Sequence, residues 1–147
     1  QIISLSSGLR MWPHVKGDLS DLAAQLNSRR ILELKTAQRC LKATDTVKDE
    51  LVEILFRQIA ADSLMHADII SHILARLDRL NEPRFSALDL NILRGLLEIE
   101  DSTVDSRLGS LKKCGPTVKA LLASIDMDED KHSKILKIAL GEYPAEG

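Results

Sequence analysis

Two segments of the chain carry an acidic residue and a histidine at helical spacing. In the first segment, Asp62 lies four residues before His66. In the second, Asp128 and Glu129 lie four and three residues before His132. Residues three or four apart share one face of a helix, so a carboxylate and an imidazole placed in this way can reach one metal ion together. Carboxylate oxygens combined with neutral imidazole suit iron, manganese or zinc.

Two glutamates repeat at nearly the same distance as the histidines. His66 and His132 are 66 residues apart, and Glu33 and Glu100 are 67 apart. The sequence therefore predicts two similar helical hairpins, each contributing one Glu and then one acid–histidine pair. Four helices that supply ligands at one level of a core build a carboxylate-bridged two-metal site. The candidate metal ligands are Glu33, His66, Glu100, Glu129 and His132.

Four helices must position these residues. Apolar residues recurring at steps of three, four and seven predict helices at about 18–44, 47–80, 86–111 and 116–141. We expect Asp18 or Ser20 to start the first helix and Asp45 or Thr46 to cap the second. The third helix is expected to open on a capping box at 86–89.

The turn between the third and fourth helices contains Gly115 and Pro116. We expect Gly115 to cap the end of the third helix and Pro116 to open the fourth, since these residue types favour those positions. Gly141 is expected to close the fourth helix. The break between the second and third helices, at 81–83, leaves two topologies open: a long crossover, or a simple up-down-up-down chain.

The composition suits one all-α domain. The chain has 147 residues, of which 44% are apolar and only 3% aromatic, so its core must be built from aliphatic side chains. The predicted fold is an all-α four-helix bundle, made of two similar helical hairpins, over residues 18–140. Residues 1–17 form a lead-in, and residues 141–147 form a tail.

Several classes of protein are disfavoured. A net charge of −2 without a basic face argues against nucleic acid as a partner. No apolar run approaches the roughly 20 residues that cross a membrane, and residues 1–13 lack the pattern of a secretory signal. Cys40 and Cys114 are expected to be free thiols of a cytoplasmic protein. No nucleophile motif, phosphate-binding loop or zinc-type cysteine spacing supports a hydrolase or transferase.

The ligand pattern resembles the ferritin-like superfamily, on its rubrerythrin-like side. The resemblance covers about residues 18–140 and rests on Glu33, His66, Glu100, Glu129 and His132. It implies a ferritin-like bundle with a di-iron carboxylate site, and iron oxidation, storage or peroxide-linked chemistry; manganese is an alternative metal. Ser63 departs from the pattern, because the family has a metal-bridging glutamate three residues before the first histidine. No Cys-x-x-Cys pair is present, so a rubredoxin-type iron centre is not expected.

Four of the five candidate ligands also have an interpretation without metal. Glu33 could form a surface ion pair with Arg29 or Arg30. His66 could be a core histidine bonded to Asp62, and the Glu129–His132 pair could lie on a solvated face.

Two hypotheses about function follow. One is a metal-binding protein with one or two iron or manganese ions, active in redox chemistry or iron handling. The other is a degenerate bundle that has lost the metal because of Ser63. It would act as a helical interaction or assembly module, and we expect a homodimer formed through an exposed apolar face.

Overall fold

The computed structural model describes residues 15–79, 83–103, 107–108 and 113–142, with side chains from residue 19 onward. These residues form four α-helices and no strand, which confirms the all-α class. The helices are α1 (Val15–Thr44), α2 (Glu50–Leu74), α3 (Ala87–Ser102) and α4 (Pro116–Ala139), with a 3₁₀ turn at Leu77–Arg79 after α2. Most of the predicted lead-in and tail, 1–14 and 143–147, lies outside the described residues.

The helices form two hairpins. Helix α1 packs against α2, and α3 packs against α4. The chain divides into two compact units, Gln1–Asn81 and Glu82–Gly147, here named the first and second hairpin. The predicted two-hairpin construction is therefore confirmed, and it is consistent with a four-helix bundle. The single domain over 18–140 stays a prediction. Residues 80–82, in the predicted break, lie outside the described residues.

Short polar side chains start α2 and α3. The carboxylate of Asp49 accepts hydrogen bonds from the backbone N–H groups of Leu51 and Val52, at 2.8 and 3.2 Å. The prediction of Asp45 or Thr46 as this cap was wrong, because the backbone N–H groups of both residues close the last turn of α1.

The capping box at the start of α3 is confirmed. Ser86 Oγ accepts from the backbone of Asp89 at 3.0 Å, and the Asp89 carboxylate accepts from the backbone of Ser86 at 2.9 Å. Asp89 thus satisfies a donor that the first turn of a helix leaves without a partner.

Four of the predicted helix boundaries need correction. Helix α1 begins earlier than predicted, at Val15. Helix α2 begins later, at Glu50, and ends earlier, at Leu74. Helix α3 ends at Ser102, although the periodicity predicted a helix to about residue 111. Thr103 Oγ1 donates back to the carbonyl of Glu100 at 2.7 Å, and the backbone N–H of Leu108 bonds the Asp126 carboxylate instead of a helical carbonyl. The apolar residues Val104 and Leu111 lie outside the described residues.

Glycine and proline mark both ends of α4. Gly115 is the N-cap of α4, and Thr103 is the C-cap of α3, so the predicted role of Gly115 as the cap of α3 was wrong. Pro116 does open α4. Gly141 closes α4 as predicted, at φ +72°. The backbone N–H groups of Gly141 and Glu142 bond the carbonyls of Ile138 and Lys137, as in a Schellman motif.

The first hairpin closes over small residues. Its buried apolar side chains are Ala37 of α1 and Ala60, Ala67 and Ile70 of α2. Two polar residues, Glu33 and Ser63, are buried on the same two helices at 6% and 5% exposure. A buried carboxylate needs hydrogen-bond donors, so the contacts of Glu33 determine what this hairpin can bind.

Candidate metal centre

The first hairpin brings Glu33 and His66 together. The imidazole Nδ1 of His66, on α2, lies 3.4 Å from Oε2 of Glu33, on α1. The side chain of Glu33 is 8% exposed, whereas that of His66 is 51% exposed. Two of the predicted ligands therefore meet. The interpretation of His66 as a core histidine required Asp62 as its neighbour, but the neighbour is Glu33.

Glu33 already has charge-balancing partners within the protein. Arg29 Nε donates to Glu33 Oε1 at 2.8 Å, one turn away on the same helix. This bond, helped by a hydrogen bond from the Ser63 hydroxyl, lowers the pKa of Glu33 in spite of the desolvation that burial imposes. The alternative of an ion pair between Arg29 and Glu33 is confirmed, although Glu33 is buried and not on the surface as predicted.

The second hairpin brings three of the predicted ligands together. His132 Nδ1, on α4, lies 3.3 Å from Oε1 of Glu100, on α3. Glu129 joins them from the preceding turn of α4. One ligand atom from each of the three side chains lies within 4.8 Å of the others. Two carboxylates and an imidazole thus converge on one point between α3 and α4.

The carboxylate of Glu129 interacts directly with the carboxylate of Glu100. The pKa of Glu129 is raised, first because its protonated form hydrogen-bonds Glu100, then because of desolvation and the charge of Glu100. When both groups are ionised, the buried Oε2 of Glu100 accepts no hydrogen bond from any described residue. An oxygen left without a donor beside a second carboxylate is costly unless a proton or a cation binds there. The donor set therefore fits a metal ion.

Polar contacts on both sides of this group join α3 and its C-terminal flank to α4. Ser133 Oγ donates to Asp101 Oδ1 at 2.7 Å, and Lys137 lies 3.7 Å from the same carboxylate. Arg107 donates to the backbone carbonyl of Asp126 at 3.1 Å. These contacts fix the position of α3 and its C-terminal flank relative to α4. No motif in the sequence marks these residues, and the one signal is that Asp101 and Ser133 directly follow candidate ligands.

The two hairpins differ at two matched positions. Three residues before the histidine, the first hairpin has Ser63 and the second has Glu129. Four residues before the glutamate of the first helix of each hairpin, the first has Arg29 and the second has Leu96. The five predicted ligands thus form a group of two, in which Arg29 pairs with Glu33, and a group of three that holds two carboxylates.

Comparison with protein-family models, with curated proteins and with solved structures finds no match to this chain. Among the described helices, none is long and apolar enough to cross a membrane. Cys40 and Cys114, which lie outside both groups, are half-buried free thiols.

Proposed function

We propose that this protein binds a divalent iron or manganese ion in its second hairpin, through Glu100, Glu129 and His132. The observation that carries the proposal is the buried Oε2 of Glu100, which has no donor among the described residues and faces a group with a second carboxylate. A cation at this point would relieve the repulsion that raises the pKa of Glu129. The ferritin-like pattern of the sequence independently favours the same three residues.

The ligand types favour a hard or borderline metal. Two carboxylates and one imidazole suit iron or manganese, and no thiolate is present in the group to favour copper(I). Bound iron would supply one-electron chemistry with oxygen or peroxide, as the resemblance implies. The contribution of the chain is to hold the carboxylates together and to exchange the proton of Glu129 for the cation.

Replacing Glu129 tests the proposal. Glu129→Gln keeps the size of the side chain but removes its charge, so we expect Mn²⁺ affinity to fall by about 100-fold or more, the upper range for positions that only support a metal ligand. Titration calorimetry on chelator-stripped protein measures this, with anaerobic Fe²⁺ as a second titrant. Glu98→Gln, on the exposed face of α3, is the matched control. Wild-type protein that binds neither ion, or equal affinity in both variants, would contradict the proposal.

The metal-free alternative, an interaction or assembly module, has two observations in its favour. Glu100 lies 3.3 Å from His132, a pairing that a bundle without metal would also use. Large apolar side chains stay exposed on both hairpins, among them Leu32 at 58% and Ile99 at 65%. Many large apolar side chains exposed on one protein are typical of a surface that a partner covers. Sedimentation in the presence of chelator tests this function. A stable homodimer of a wild-type protein that binds no metal would favour the module over the metal site.

A further inference from the structure

In the first hairpin, a positively charged side chain lies one turn before the glutamate. The matched position of the second hairpin holds an uncharged side chain. We infer that the Arg29 guanidinium and the Ser63 hydroxyl together replace a metal ion at Glu33, so that each chain takes one ion, in the second hairpin. This inference rests on the proposed function of Glu100, Glu129 and His132.

Both oxygens of Glu33 are already engaged. Arg29 Nε donates to Oε1 at 2.8 Å, and His66 Nδ1 lies 3.4 Å from Oε2. The Ser63 hydroxyl adds a third donor from the facing helix. The corresponding carboxylate of the second hairpin, Glu100, has a contact to histidine at Oε1 but no donor at Oε2. The difference lies in the donors and not in the glutamate–histidine pair, which both hairpins share.

Ser63 also removes the second carboxylate. A hydroxyl is a poor ligand for a hard cation, and Ser63 is 5% exposed with its hydroxyl committed to Glu33. One carboxylate with one imidazole would have to hold a doubly charged ion beside the positive charge of Arg29. The positive charges of the ion and of the neighbouring arginine repel each other even in water. The hairpin therefore excludes a metal by charge as well as by the loss of a ligand.

Placing an arginine in the second hairpin tests the role of charge without touching a buried residue. Leu96 is 45% exposed and lies four residues before Glu100, as Arg29 lies before Glu33. We expect Leu96→Arg to bind Mn²⁺ about tenfold or more weakly than Leu96→Gln, its uncharged control, because the arginine pairs with Glu100 and repels the ion. Equal Mn²⁺ affinities of the two variants would overturn the inference.

The reciprocal exchange tests for a gain of binding, which misfolding cannot imitate. The double variant Arg29→Leu with Ser63→Glu gives the first hairpin the residues of the second. We expect it to bind two Mn²⁺ per chain by metal analysis and calorimetry, and Ser63→Glu alone to bind the second ion more weakly, because Arg29 still competes. A folded double variant that stays at one ion, or a single variant as tight as the double, would overturn the inference. If Glu at this buried position prevents folding, the Leu96 pair decides.

These outcomes separate the inference from the proposal on which it rests. Wild-type protein that binds no Mn²⁺ overturns the proposed function, and the inference with it. Wild-type protein that binds one ion, with no difference between Leu96→Arg and Leu96→Gln, leaves the metal site intact and overturns the inference alone.

Discussion

The residue three positions before the histidine differs between the two hairpins. In the first hairpin, the Arg29 guanidinium lowers the pKa of Glu33 most, and a hydrogen bond from Ser63 lowers it further. Glu129 stands at the matched position of the second hairpin, where the charge of Glu100 and the shared hydrogen bond raise its pKa. One hairpin thus holds a stable anion, while the other holds a pair of acids that favours a proton or a cation.

The raised pKa of Glu129 predicts that metal-free protein loses stability as pH rises. The folded state keeps a proton that the unfolded chain releases near its ordinary pKa of 4.5. The free energy of unfolding should therefore fall as pH rises from about 4.5 through the raised pKa, and Glu129→Gln should remove this part of the decline. Urea unfolding between pH 4 and 8 with chelator measures it. A decline of the same size in the variant would contradict the assignment.

The lowered pKa of Glu33 predicts the opposite dependence. Ser63→Ala should cost about 1–2 kcal/mol at neutral pH, since it removes a buried donor to a charged group. Ionised Glu33 stabilises the fold above its unfolded pKa, and this contribution is lost as pH falls through the folded value, so the cost of the substitution should shrink in acid. Ser71→Ala is the matched control, because Ser71 bonds only a carbonyl of its own helix. A cost that does not depend on pH would contradict the role of Ser63.

At the scale of the helices, local chemistry explains the predictions that held. The capping box at Ser86, the proline that opens α4 and the glycine that closes it all act within a few residues of their own position. The end of α3 could not be predicted in this way. The apolar period continues past Ser102, whereas the backbone N–H of Leu108 bonds the carboxylate of Asp126 on α4. The residues near the end of α3 in the sequence do not predict such a contact.

Two glycines of the second hairpin should respond to alanine with opposite signs. Gly141 has φ +72°, which an alanine adopts only with strain, so Gly141→Ala should destabilise the protein by about 1 kcal/mol. Gly95 lies inside α3 with nothing within 4 Å of an added Cβ, so Gly95→Ala should stabilise it by about 0.5–1 kcal/mol. Thermal and urea unfolding of the two variants measure both changes. A shift of the same sign in both would contradict the assigned helix boundaries.

At the scale of the whole molecule, the repeat predicted two hairpins of similar sequence, and each places its glutamate against its histidine. Spacing along the chain predicted these residues as ligands on helix faces, because a helical face follows from residue position. Which glutamate meets which histidine was not predicted. The balance of charge around each pair could not be predicted in full. Arg29 was one of two arginines near Glu33, and the bond from Ser63 crosses from one helix to the next.

Anomalous diffraction at the manganese edge, on crystals of the wild-type protein soaked in Mn²⁺, tests the central claim most directly. We expect one peak per chain, about 2.0–2.3 Å from a carboxylate oxygen of Glu100 and of Glu129 and from a ring nitrogen of His132. No comparable peak is expected beside Glu33 and His66. A peak at that pair alone, or no peak at Glu100, Glu129 and His132 in crystals soaked to saturation, would contradict the account.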